Sequence, residues 1–206
     1  MPHRSDVSFR VHHALRIKGF AKTDVIAELT ALPVPDVEGE LVGLEHRGLA
    51  AFREARALWQ LTPDGRKAHA EALAKDVADP LLRDHLGEPY PTFLQVNEHF
   101  KELCGSWQLK DGSPNDHADT AYDRRVIEDL LTVDRNVQPL CHSFAGVMER
   151  FSAYGPRLRH TAERVDAGAY DLFTGVMCGS YHDVWMELHE DLILTLGIDR
   201  AREGSF

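Results

Sequence analysis

Between Gly48 and Arg66 the hydrophobic pattern changes period twice, and few architectures accommodate both changes in so short a stretch. Leu49, Ala51 and Arg53 alternate with Ala50, Phe52 and Glu54. A polar turn at Glu54-Ala55-Arg56 follows, and Leu58, Trp59 and Leu61 resume an extended apolar pattern. Alternation on both sides of a polar turn predicts a β-hairpin. Then Thr62-Pro63-Asp64-Gly65-Arg66 opens a helix, with Thr62 as N-cap, Pro63 in the first position and Asp64 at the positive end of the dipole. That helix is expected to run to about Val77.

Upstream the period is helical. Val11, Leu15 and Ile17 predict a short helix over residues 9–18, closed by Gly19. Thr23 reads as the N-cap of a second helix carrying Val25, Ile26 and Leu29, broken at Ala31-Leu32-Pro33. Pro35 opens a third, whose Val37, Leu41 and Leu44 form one buried stripe that Gly48 ends. Two short helices across a tight turn make a helix-turn-helix.

The order helix, helix-turn-helix, hairpin and Leu-Thr-Pro-x-Gly-Arg resembles the winged-helix regulators of the MarR-like type. The stretch GLAAFREARALWQLTPDGRKAHAEAL, residues 48–73, carries the likeness, which covers about a third of the chain. It implies a winged helix over residues 1–78 and double-stranded DNA as partner. The candidate contacts are Lys22, Thr23, Arg47, Arg53 and Arg56, with Arg66 and Lys67 after the wing. One feature departs from the pattern. The second motif helix should present Arg, Lys, Asn, Gln or Ser to bases and phosphates. Its outward positions are instead Asp36, Glu38, Gly39, Glu40, Gly43 and Glu45, with His46 and Arg47 only at the end.

Charge divides the chain. Residues 1–70 hold ten Lys/Arg against nine Asp/Glu, and residues 71–206 hold thirteen against twenty-four, so the body repels nucleic acid and anionic membranes. No window approaches a membrane span, and residues 1–9 lack the apolar core of a signal peptide, so a cytoplasmic protein is expected. Cys104, Cys141 and Cys178 form no CxxC pair, which fits reduced thiols. They do share an apolar-Cys-x-Ser-aromatic pattern, 37 residues apart each time, with unmatched flanks.

Asp79-Pro80 and Gly87-Glu88-Pro89-Tyr90-Pro91 predict a linker over residues 79–91. Beyond it, helical periods over residues 92–103, 118–133, 137–151, 156–165 and 180–196 predict an antiparallel helical bundle. The expected fold class is therefore mainly α: three helices plus a β-hairpin wing, then a helical domain over residues 92–206 for ligand sensing or dimerisation. Residues 90–200 are also similar to a segment found with MarR-like regulators of uncharacterised ligand, and to one near phosphoenolpyruvate-using dikinase-type enzymes. No phosphohistidine motif is present, so no activity is carried over.

In the body, His182, Trp185, Met186 and His189 fall on one helical face, and the polar loop Asn115-Asp116-His117 can bring a third imidazole. The candidate ligand-binding set is Trp107, His117, Tyr181, His182, Trp185 and His189. The spacing matches no zinc motif, so neither metal nor cofactor is assigned, and a satisfied aromatic core is the bland alternative. Arg157 and Arg159 at a helix start, with Arg124 and Arg125, could receive an anion or make surface ion pairs. No Ser-His-Asp order, P-loop or nucleotide fingerprint occurs.

Three functions follow as expectations. The first is a homodimeric transcriptional regulator whose body senses a small-molecule effector. The second is a winged-helix interaction module that binds protein and regulates a metabolic enzyme. The third, least favoured, is an enzyme built on His117, His182 and His189.

Overall fold

The computed structural model describes residues 1–199; residues 200–206, the end of the expected C-terminal domain, lie outside the described residues. The chain is mainly helical, with a small antiparallel sheet near its start. No described helix is long and apolar enough to cross a membrane.

The first helix, α1, spans Val7–Lys18, with Asp6 accepting from the backbone N–H of Ser8 and Gly19 closing it at φ 73°. A two-residue strand follows, β1 at Phe20–Ala21, then α2 at Thr23–Thr30 and α3 at Val34–His46. Strands β2 (Ala50–Arg53) and β3 (Leu58–Leu61) form the expected hairpin, with Phe52 opposite Trp59. β1 pairs with the other side of β3, so the sheet order is β1–β3–β2. A two-residue strand carries no periodicity, so β1 is a structural finding. It also displaces Thr23 from its expected capping role. Lys22 takes the cap position without a side-chain bond, and the Thr23 hydroxyl accepts from Trp59 Nε1 at 3.2 Å.

Helix α4 spans Pro63–Asp76 and starts as expected: the Thr62 hydroxyl accepts from Gly65 N and donates to the Gly48 carbonyl. The residues read as a linker are structured. Asp79 caps α5 (Pro80–Gly87), and α6 begins at Tyr90. The prolines that suggested a break stand in first turns, where a missing N–H is harmless.

The body holds α6 (Tyr90–Gln108), a tiny hairpin of β4 (Leu109–Lys110) and β5 (Ser113–Pro114), then α7 (Thr120–Val147). Helix α8 spans Tyr154–Asp166, α9 Asp171–Thr174 and α10 Tyr181–Leu196. The two segments expected over residues 118–133 and 137–151 are largely one helix, α7, of 28 residues, although Pro139 lies inside it. Val126, Leu130, Val133, Val137, Cys141 and Phe144 make one uninterrupted buried stripe along it. That burial outweighs a proline penalty of about 3 kcal/mol.

One hydrophobic core runs through the whole described chain, from Phe9 and Leu15 on α1 to Trp185 and Leu192 on α10. The extreme N-terminus joins the body too: His3 exchanges backbone hydrogen bonds with Val147 and Glu149. The three cysteines share no structural setting. Cys104 lies in α6 and Cys141 in α7, both with thiols pushed up to about 12 by burial, while Cys178 is exposed in the loop before α10. The 37-residue spacing therefore marks no structural repeat.

Candidate functional site

The aromatic-histidine set is dispersed along the contact between α6 and α10. These helices run antiparallel: Phe93 meets His189, whereas Phe100 meets Tyr181 and His182. Trp107, a further turn or two along α6, meets His117 with ring centroids 4.4 Å apart. Phe93 and Trp107 are about 21 Å apart at the helical rise per residue, so His117 and His189 serve different ends of the bundle. Trp185 and Tyr181 are fully buried, and Trp185 Nε1 donates to Asn97 Oδ1 at 2.8 Å. His189 is buried with Nε2 3.2 Å from the Tyr90 hydroxyl. His182 is half-buried. Among the described residues no three His, Cys, Asp or Glu side chains are grouped to hold a metal.

His117 has a local task. Its backbone sits at φ 57°, its Nδ1 lies 3.0 Å from Asp123 Oδ2, and Asn115 Nδ2 donates to Asp123 Oδ1 at 2.9 Å. Asp123 is buried at the start of α7. The cluster fastens the loop after β5 onto α7 and against Trp107.

The residues expected to meet DNA are divided. Arg53 and Arg56 are exposed on the β2–β3 hairpin, and Gln60 accepts from Arg53 at 2.7 Å once its amide is oriented to satisfy both groups. Arg47 Nε donates to the Gly43 carbonyl at 3.1 Å. Lys22 lies on the far side of the sheet from β2, lining a cleft against α10. The outer face of α3 carries Asp36, Glu38 and Glu45 exposed, with Glu40 half-buried. Val34, Val42 and Phe52 are exposed there or on the adjoining strand. Glu45 also accepts from Phe52 N, tying α3 to β2.

Two features of the structure have no counterpart among the sequence expectations. One is a buried polar cluster where α1 and α4 meet α10. His13 bridges His69, at 2.8 Å from its Nδ1, and Asp191, at 2.9 Å from its Nε2. Arg150 and the hydroxyls of Tyr154 and Thr195 also donate to Asp191, and Arg150 reaches on to Asp76 at 3.1 Å. Burial, aided by the neighbouring His13, His12 and Arg16, pushes the His69 imidazole down to about 2. Burial lowers His12 as well, against a hydrogen bond to the Gly65 carbonyl. The sequence signal was the pair His12-His13, sitting in line with the apolar stripe of α1.

This cluster makes stability fall with acid. An unfolded histidine binds its proton near pH 6.5, whereas folded His69 does not until far lower. Stability from His69 is therefore present above about pH 6.5 and falls by about 1.4 kcal/mol per unit below it. Urea titrations between pH 7 and 5 should show this decline, and His69→Gln should reduce its slope to the part that His12 contributes. An unchanged slope in that variant would rule His69 out as the source.

The second feature is the cleft itself, about 460 Å³, between α1, β1, α2 and β3 on one side and α10 with its preceding loop on the other. Lys18 donates to Glu187 at 2.5 Å across it, and Arg157 reaches the other oxygen of Glu187 at 2.7 Å. Of the four arginines expected to gather an anion, three are in ion pairs: Arg157 with Glu28 and Glu187, Arg124 with Glu128 and Asp166, and Arg159 with Asp134, while Arg125 lies over the Tyr122 ring. Comparison with family models, with curated proteins and with solved structures returns no match.

Proposed function

We propose that the protein is a regulatory interaction module, a winged-helix head on a helical body that recognises a basic, apolar-tipped protein segment through α3 and the adjoining hairpin. The order α1–β1–α2–α3–β2–β3–α4 with sheet order β1–β3–β2 supports the winged-helix reading. One observation carries the choice of partner. The surface that would enter a major groove presents exposed Asp36, Glu38 and Glu45 around Val34, Val42 and Phe52. Carboxylates there repel phosphates and attract lysine or arginine, and an exposed apolar stripe between them suits an amphipathic protein segment.

A second reading, DNA binding led by the hairpin, is favoured by the exposed Arg47, Arg53 and Arg56. Its reach is small. Three phosphate contacts per subunit give a salt slope of about −3, against the six to ten contacts of a strong binder.

Fluorescence anisotropy separates the readings. The probes are a labelled lysine-leucine amphipathic helix, its glutamate-leucine counterpart and a DNA duplex from upstream of the gene. The cationic peptide is expected to bind, and Glu38→Lys/Val42→Asp to weaken it about tenfold or more. Unaltered binding in that variant would place the peptide on the acidic body and sink the proposal. Salt-sensitive duplex binding lost in Arg53→Ala/Arg56→Ala would install the DNA reading instead.

A further inference from the structure

We infer that the cleft between the head and α10 is a binding site for a small zwitterion with an apolar side group, of the class of the apolar α-amino acids. Nothing in this inference depends on what α3 binds.

The volume, about 460 Å³, is that of a small-molecule site. Its floor is apolar: Ile17, Val25 and Leu58 from the head, with Phe20, Met177 and Met186 at the rim. Those last three are 44%, 65% and 38% exposed, large apolar groups left in solvent around one depression. Met177 is held there by a built loop. Asp183 Oδ2 accepts from the backbone of both Cys178 and Gly179, at 2.9 and 3.0 Å. The Ser180 hydroxyl donates to the Gly175 carbonyl. Gly175 is packed so closely that a Cβ would lie 2.3 Å from the Asp171 carbonyl oxygen. Met177 itself takes φ 61°, a costly conformation for a side chain of its size. These contacts fix the path of the loop, which presents Met177 to the cleft. Methionine is a flexible, polarisable lining for an apolar group of variable shape.

The two walls carry opposite charge. The head wall has Lys18 and Lys22 against Asp24; the α10 wall has Asp183, Glu187 and Glu190. Lys18 and Glu187 satisfy each other. What remains for a ligand is the Lys22 ammonium, exposed and in no ion pair among the described residues, facing a carboxylate-rich helix. A ligand bearing only a negative charge is opposed by the α10 wall, and one bearing only a positive charge leaves the Lys22 ammonium without a counter-ion. Glu190 is held by Arg16 at 3.1 Å, so a zwitterion sets its carboxylate at Lys22 and its ammonium at Asp183, with its side group on Phe20, Met177 and Met186. Because the walls belong to different ends of the chain, such a ligand bridges head and α10 and favours the arrangement that holds them together.

Isothermal titration calorimetry on the full chain tests this with L-phenylalanine and L-leucine, and with phenylalaninamide and N-acetyl-L-phenylalanine, which each lack one charge. Saturable binding of the amino acids is expected, weakened about tenfold or more when either charge is removed. Lys22→Glu should weaken L-phenylalanine without weakening the amide, whose single positive charge the new carboxylate attracts, and Met186→Arg should abolish both. Both positions are exposed, so neither variant threatens the fold. Equal affinity for the amide or the N-acetyl derivative would overturn the zwitterion. Binding unchanged in Met186→Arg would move the site elsewhere, and no heat up to millimolar ligand would remove it altogether. Glu38→Lys/Val42→Asp, which tests the α3 surface, should leave this binding intact.

Discussion

Replacing Asp191 by alanine is expected to destabilise the protein by about 3–5 kcal/mol, the range for leaving a buried charge without its partner. Asp191 is 1% exposed, and it accepts from His13, Arg150, Tyr154 and Thr195. Removing it strands Arg150, which is itself buried and keeps only Asp76 as a carboxylate. It also leaves His13 and the Tyr154 hydroxyl without an acceptor they now share. Urea unfolding at pH 7 measures the loss; a change under 1 kcal/mol would show the cluster to be solvated or rearranged. Asp191→Asn, which keeps acceptor oxygen and shape, should lose less.

The pH dependence has a definite sign. Burial alone would raise the Asp191 carboxyl, but Arg150 and His13 outweigh it and hold the group well below the ordinary carboxylate range. The stabilisation is therefore complete above the unfolded value of about 3.9 and is lost as pH falls below it. The decline from His69 begins earlier, near pH 6.5, so acid should unfold the protein in two overlapping stages. Because His13 and His69 belong to α1 and α4 while Asp191 belongs to α10, the same protons loosen the contact that positions the two walls of the cleft.

These contacts leave no mark in the sequence, for a physical reason. A helix shows its own periodicity, so α1, α3, α4, α6 and α10 were legible from their apolar stripes and capping residues. The hairpin was legible because Leu49–Glu54 alternates. What a stripe cannot show is what it packs against. His13 and Asp191 are 178 positions apart, and each looks like an ordinary polar residue beside a hydrophobic face. The cleft was invisible for the same reason, since Lys22 and Met186 acquire a shared meaning only when α1 packs against α10 through His13, Arg16 and Lys18. Lys22 was expected to meet phosphates; its place is set by a two-residue strand that no pattern announces. His182 and His189 both meet α6, at Phe100 and Phe93, and whether such a face lines a pocket or a core depends on that helix, whose phenylalanines fill the space. The acidic surface of α3, by contrast, was largely legible: once Val37, Leu41 and Leu44 are buried, Asp36, Glu38 and Glu45 are left outward, although Glu40 is half-buried and the exposed Val34 and Val42 fall outside that sequence reading.

Gly65 offers the sharpest test of how the hairpin and α4 are joined. It stands in the first turn of α4, in a Leu-Thr-Pro-x-Gly-Arg run, and its conformation is helical. Its need for glycine is therefore one of space. A Cβ there would lie 1.8 Å from the Leu49 carbonyl oxygen, a backbone atom that accepts from Thr62 N at 3.0 Å. On the other side, the Gly65 carbonyl accepts from His12 Nε2 at 2.9 Å. Neither neighbour can yield without breaking the entry to α4 or its contact with α1. Gly65→Ala is expected to cost about 3 kcal/mol or more, at the upper end of overpacking penalties. Gly39 is the control: it lies in α3 with nothing within 4 Å of an added Cβ, so Gly39→Ala should stabilise by up to about 1 kcal/mol through helix propensity alone. Thermal and urea unfolding of the two variants should move in opposite directions. If Gly65→Ala instead gained stability as Gly39→Ala does, α4 could not pack against Leu49 as described, and the geometry that ties the hairpin to α1, and through it to α10, would have to be redrawn.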